Sequence, residues 1–284
     1  MTTIFRDAMR RSAGAILIWG IALFLIAWPV VLAYDVVQKE QAKIKEVAKN
    51  FQIFFAAMGG DLDRITHPSE YLTMRFFSYM PLILGIFAIL SGSGLTTVDE
   101  EKGTLDLILA HPVSRTSIFL GRFLAMLFTL FIILAVSWAG LVVWMSRTNL
   151  RDQITPSQMV LPYLSLLAEL LFFGTLAILL SLIMPSRRQA ATAAGVILVG
   201  SFFITMFARL DGSLEPLARF SPLTYYQSGQ AVLGLNSHWL AGLLLAAGCF
   251  MFLAWYAFQR RDIRVAGEGV WQWPFMNWKI RKTA

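Results

Sequence analysis

Five stretches of this chain run with no Asp, Glu, Lys or Arg at all: Ala13–Tyr34, Phe76–Val98, Phe123–Met145, Ala190–Ala208 and Trp239–Phe258. A sixth, Gln158–Met184, carries a single acid, Glu169. About twenty apolar residues at ~1.5 Å per residue cross the ~30 Å of hydrocarbon in a bilayer. There the backbone has to satisfy its own hydrogen bonds, which confines such stretches to helices. The fold expected is therefore an all-α integral membrane protein with six transmembrane helices. Composition agrees: 57% of residues are hydrophobic and only 14% charged, against roughly a quarter charged in soluble domains.

The spans are read at about 13–34, 76–98, 119–145, 158–184, 190–208 and 239–258. Residues 1–264 are taken as one six-span transmembrane domain and 265–284 as an aromatic, basic tail with Trp271, Trp273, Phe275 and Trp278 beside Lys279, Arg281 and Lys282, a pattern suited to an anionic leaflet. Residues 1–11 read as a short, basic, amphipathic N-terminal segment. Val36–Phe55 alternates apolar residues with Lys39, Lys43, Lys45 and Lys49 at helical spacing and is expected as one amphipathic helix on the outer surface. Gly59-Gly60-Asp61 ends it, and Arg75 at the outer end of span two is expected to snorkel to the interface. Between spans five and six, Pro216 and Pro222 break the apolar pattern, leaving either a helix-turn-helix dipping into the membrane or a surface loop.

Six spans put both termini on one side. That side holds Arg6, Arg10, Arg11, Lys102, Arg115, Arg122, Arg187, Arg188 and the basic residues from Arg260 onward. On the other side, lysines and arginines are nearly balanced by acids such as Asp35, Glu40, Glu46 and Glu70. The positive-inside rule places the termini in the cytoplasm of a multi-pass protein of the inner or plasma membrane. The net charge of +7 is thus membrane-flanking, with no call for nucleic acid. The run after Arg11 is too long for a signal h-region and has no small-residue cleavage site. The one cysteine, Cys249, sits in an apolar run, and His67, His111 and His238 stand in loops or at span ends without partners at metal-ligand spacing. No Gly-rich P-loop followed by Lys and Ser or Thr occurs, so the chain has no ATP-hydrolysing site of its own.

The loop between spans two and three carries the most specific pattern, Val98-Asp99-Glu100-Glu101-Lys102-Gly103-Thr104-Leu105 and onward to Arg115-Thr116. Gly103 permits a turn and Thr104 can cap a new helix whose Leu105, Ile108 and Leu109 share one face. Pro112 ends that helix, and Ser114 or Thr116 can cap the next. Physically this is a stubby helix held between two spans, equally suited to taking a push from a docked partner and to lying on the membrane surface.

The strings Glu101-Lys102-Gly103-Thr104-Leu105, His111-Pro112-Val113-Ser114-Arg115 and Gly121-Arg122-Phe123-Leu124 resemble, in this order and after span two, the type 2 export permeases of ATP-binding cassette transporters. Arg122 replaces the commoner lysine and keeps the charge. The resemblance implies a permease dimer, homo- or heteromeric, forming the pathway of an ATP-driven exporter. It implies two cytoplasmic ATPase subunits that bind ATP and Mg²⁺, and a coupling helix over the 99–115 loop with Glu100, Glu101, Gly103, Thr104, Leu105, Ile108, Pro112, Ser114 and Arg115 at the contact. Phe5–Arg11 would lie along the inner interface, and the segment between spans five and six would close the exit side. No residue is expected to be catalytic.

Glu169 is costly in hydrocarbon and is expected to face the bundle interior, a partner or water, either lining the pathway or hydrogen-bonded to a neighbouring helix. Two other classes fit less well. An ion-gradient-driven secondary transporter needs several intramembrane ionisable or broken-helix sites, and here Glu169 stands alone. An intramembrane enzyme built on Glu100-Glu101 needs metal-binding or basic residues inside later spans, and spans three to six contain no internal histidine.

Overall fold

The computed structural model describes residues 1–60, 64, 66–101 and 114–260. Among these, helices account for nearly all of the regular structure. Helix α1 spans Thr2–Lys39, α2 Gln41–Lys49 and α3 Gln52–Ala57. Then come α4 (Pro68–Leu72), a π-helical turn (Thr73–Phe77), α5 (Met80–Ser93) and α6 (Thr97–Glu101). The remaining long helices are α7 (Arg115–Met145), α8 (Val160–Ile183), α9 (Arg187–Ala208) and α10 (Ser237–Arg260). Five of the described helices, α1, α7, α8, α9 and α10, are each long and apolar enough to cross a membrane. The pair Pro68–Phe77 and Met80–Ser93, bent by 42°, brings the number to six if it forms one broken span.

Helix α8 is the centre of the bundle. It packs against α5, α9 and α10 and buries Leu166, Leu170, Phe173, Ala177 and Ile178. Its crossing with α5 is a backbone contact: a Cβ on Gly92 would run into the carbonyl oxygen of Gly174. Glycine at this crossing lets the two helices approach as small residues do inside membranes. Helix α1 lies along α7. There a Cβ at Gly140 would stand 2.9 Å from Phe24 Cα, and Trp144 closes on Phe24 and Trp28 with ring centroids 5.8 and 5.7 Å apart. Trp19 turns inward onto Phe87, at 5.8 Å.

Three expectations are corrected. The N-terminal segment is no separate element: Thr2–Lys39 is one helix of 38 residues, about 57 Å long at ~1.5 Å per residue. The Asp7–Arg11 pair, 2.8 Å apart at i, i+4 spacing, supports the helix across the expected junction. Ile4 against Gly121 and Phe5 against Phe128 dock its first turns on α7. The outer amphipathic helix is three pieces, broken at Glu40 and at Asn50-Phe51. Asparagine competes for backbone hydrogen bonds and weakens helices.

The helical segment in the region of span two begins at Pro68, eight residues before the expected start, and is bent between Phe77 and Met80. The Ser78 amide donates to Thr73 O (2.8 Å), a π-type bond, and Pro81 supplies no N–H for the carbonyl of Phe77. The Tyr226 hydroxyl donates to that carbonyl instead, at 3.1 Å. Tyr226 belongs to the 209–236 connection, a series of short turns: Gly212–Leu214, Glu215–Ala218, Pro222–Tyr225 and Ser228–Leu233. The last of these packs on α8, α4 and the π-turn, where Gln227 N donates to Ser165 Oγ (3.0 Å) and Gln230 Nε2 to Glu70 Oε1 (3.3 Å). Gly229 has to be glycine, because a Cβ there would lie 2.7 Å from Thr73 N.

Candidate functional site

The polar residues at the N-terminal end of the bundle converge on Asp99. It lies in α6, just after the end of α5, and its side chain is only 7% exposed. Arg122, in the second turn of α7 and 13% exposed, pairs with Asp99 Oδ2 through Nη2, and its Nη1 donates to Leu95 O at 2.9 Å. Arg11 of α1 approaches Asp99 Oδ1 at 3.6 Å while holding Asp7 at 2.8 Å. One buried carboxylate therefore ties the start of α1, the end of span two and the start of span three. A carboxylate this enclosed is tolerated only when paired; of the two described cations, Arg122 is the enclosed partner and Arg11, 61% exposed, a peripheral one.

Beside this network is a cavity of about 460 Å³ between α1, α6 and α7, with Asp7, Arg11, Asp99 and Arg122 at its polar wall and Leu95 and Met126 at its apolar one. The same end of the bundle is tied twice more. Arg115 Nη1 donates to Gln259 O (3.3 Å). With the Gln259 amide oriented by its hydrogen-bond network, Oε1 accepts from Thr116 Oγ1 (2.8 Å) and Trp255 Nε1 (3.2 Å), so the end of α10 is fastened to the start of α7. Arg187 Nη2 donates to Leu90 O (3.3 Å), fastening α9 to the end of α5.

Of the residues singled out from the sequence, Glu100 and Glu101 occupy the last turn of α6. Gly103, Thr104, Leu105, Ile108 and Pro112 lie outside the described residues. Ser114 caps α7, its Oγ accepting from Ser117 N at 3.2 Å, and Arg115 is the first residue of that helix. Glu169 lies in α8, fully enclosed, and neither carboxylate oxygen has a hydrogen-bond partner among the described residues. Asp7, Arg11, Asp99, Trp255 and Gln259 are site residues that sequence reasoning missed. A signal for Asp99 was available: it heads the acidic run Asp99-Glu100-Glu101, directly after an apolar span and next to the most specific motif. Its partners are far away in sequence and could not be paired with it from spacing. Among the described residues no cluster of three His, Cys, Asp or Glu could hold a metal ion.

Comparison with known proteins bears on what such a molecule is. The chain is 24% identical over 206 residues to the "uncharacterized membrane protein YdbK" of Bacillus subtilis (strain 168), covering 67% of this chain and 83% of that protein. The family described as ABC-2 family transporter protein matches residues 5–263, from the first turns of α1 to just past the end of α10. An all-α, multi-pass membrane chain whose sequence fits that family over nearly its whole length belongs to the ABC-2 transporter family.

Proposed function

We propose that this chain is the membrane-spanning permease subunit of an ATP-driven exporter. Two permease chains form the translocation pathway, and two cytoplasmic ATPase subunits dock on their 99–115 loops, one at each. In this reading both termini are cytoplasmic, residues 1–264 form one permease domain, and the 265–284 tail lies at the cytoplasmic face. ATP and Mg²⁺ are bound by the partner ATPase. The chain does no covalent chemistry; it moves.

The observation that carries the reading is the position of Asp99. A docking loop transmits force only if its root is fixed to the elements that have to move. The root of the 99–115 loop is joined through Asp99 to Arg122 of α7 and Arg11 of α1, with its far end anchored by the Ser114 cap and the Arg115–Gln259 contact. Closure of the ATPase pair on ATP would displace this assembly as a unit and tilt α1, α7 and α10 together, a rigid-body mode of switching. ATP favours the outward-open state only through contacts that differ between states, and the docking groove provides them. Glu169 is the candidate polar residue of the pathway, exposed to it in the state that this rearrangement opens.

The test is co-purification of the tagged chain with its ATPase, followed by reconstitution. Glu101→Arg and Gly103→Trp should leave membrane insertion and dimerisation intact and abolish the permease-dependent change in ATPase rate. Unchanged coupling in both variants would count against docking at this loop.

A further inference from the structure

At the end of the bundle opposite the N-terminus, α2 and α3 fold back over the broken start of span two and enclose a cavity of about 290 Å³. Its walls are Val37, Ile44, Val47, Phe51, Phe55 and Met74, and two cations, Lys43 and Arg75, stand on it. Arg75 is placed there by the π-helical turn Thr73–Phe77. Such turns insert an extra residue into a helix and are frequent at functional sites. Lys43 pairs with Glu40 at 2.7 Å, but no acid among the described residues pairs with Arg75. The helices that form it carry an exposed apolar surface, with Val36, Val47, Phe51, Ile53 and Phe54 all more than half exposed, on a stretch that also carries Lys39, Lys45 and Lys49 beside Glu40 and Glu46.

This is an amphipathic surface of the kind that lies at the boundary between headgroups and acyl chains, with a concavity added to it. We propose that the cavity is a binding site for an anionic phospholipid of the leaflet at this end of the bundle. An acyl segment fills the apolar walls between Ile44, Phe55 and Met74, and the phosphate pairs with the Arg75 guanidinium, the geometry that arginine favours with phosphate. Arg75, with no acid partner among the described residues, selects a headgroup of net negative charge and disfavours a zwitterionic one, whose terminal cation it would meet. Because Arg75 lies in the π-turn and Val37 in the last turns of α1, the lipid would clamp span one to the broken entry of span two. The site is independent of the ATPase reading, and either can fail without the other.

The test is native mass spectrometry of the full-length chain released from micelles containing equal amounts of phosphatidylglycerol and phosphatidylcholine. One phosphatidylglycerol should be retained in preference to phosphatidylcholine. Arg75→Gln should lower that retention by about fivefold, the effect of removing one cation at a membrane surface, while Arg75→Lys keeps most of it. Phe51→Ala removes an exposed wall residue and should reduce retention without affecting folding, so it decides the question if Arg75→Gln fails to fold. Millimolar glycerol phosphate should not displace the lipid. Equal retention of the two lipids by the wild type, unchanged retention in folded Arg75→Gln or in Phe51→Ala, or displacement by glycerol phosphate would each overturn the proposal.

Discussion

Removal of Arg122 should be the most damaging change at the N-terminal end of the bundle. Asp99 has a side chain 7% exposed and depends on Arg122, itself 13% exposed, with Arg11 as a second cation at 3.6 Å. Breaking a buried pair from one side costs about 3 kcal/mol or more, roughly a 150-fold change in the folding equilibrium at ~1.4 kcal/mol per decade. Arg122→Ala also deprives Leu95 O of its donor. Arg11 is 61% exposed, and its contribution is screened to about 1 kcal/mol or less. The assay is a double-mutant cycle on the purified chain in detergent, unfolded by heat or denaturant. The Asp99–Arg122 coupling should exceed about 1.5 kcal/mol and the Asp99–Arg11 coupling should fall below about 0.5 kcal/mol. The charge-reversed pair Asp99→Arg with Arg122→Asp should recover part of the loss, but not the Leu95 bond. Equal costs for Arg11→Ala and Arg122→Ala would refute the ranking and, with it, the idea that Asp99 is held mainly by span three.

Other expectations follow from the packing. Gly92→Val should destabilise the α5–α8 crossing by about 1–3 kcal/mol, the usual cost of overpacking, because its first carbon already meets the Gly174 carbonyl. Gly242→Ala, where a Cβ meets nothing within 4 Å, should not destabilise in the same melt and should gain up to about 1 kcal/mol from the better helix former. Glu169→Met should raise thermal stability, since the enclosed carboxyl group has no hydrogen-bond partner among the described residues and an apolar side chain of similar size leaves no polar atom unsatisfied. If Glu169 belongs to the pathway, the same variant should lose transport in reconstituted vesicles despite the gain. Ser114→Ala removes the α7 cap and should cost about 1 kcal/mol.

The long spans were legible because charge-free runs end abruptly. Helices α7 to α10 fall within a few residues of the bounds expected for spans three to six, and Ser114 and Ser186 cap two of them. The start of span two was hidden for a physical reason. Ser69, Glu70 and Thr73 look like loop residues, yet all are buried because the 222–233 turns cover them and supply partners such as Gln230. That burial depends on residues some 150 positions away and leaves no local periodicity. The same holds for Asp99. Its residue type and its place after a span were visible, whereas its ties to Arg11 and Arg122 are products of the fold. The continuity of α1 was hidden by its basic start, which reads as an interfacial segment until Ile4 and Phe5 are seen docked on α7.

The account depends on the 99–115 loop being a cytoplasmic handle for an ATPase. Site-directed cross-linking tests this most directly: Ile108→Cys in a Cys249→Ser background, treated with a thiol-directed photo-cross-linker in inverted membrane vesicles. The account predicts a cross-linked product containing the ATPase subunit, and labelling of the introduced thiol by an impermeant reagent only from the cytoplasmic side. Labelling from the opposite side, or a co-purified ATPase that never cross-links to this position, would contradict it.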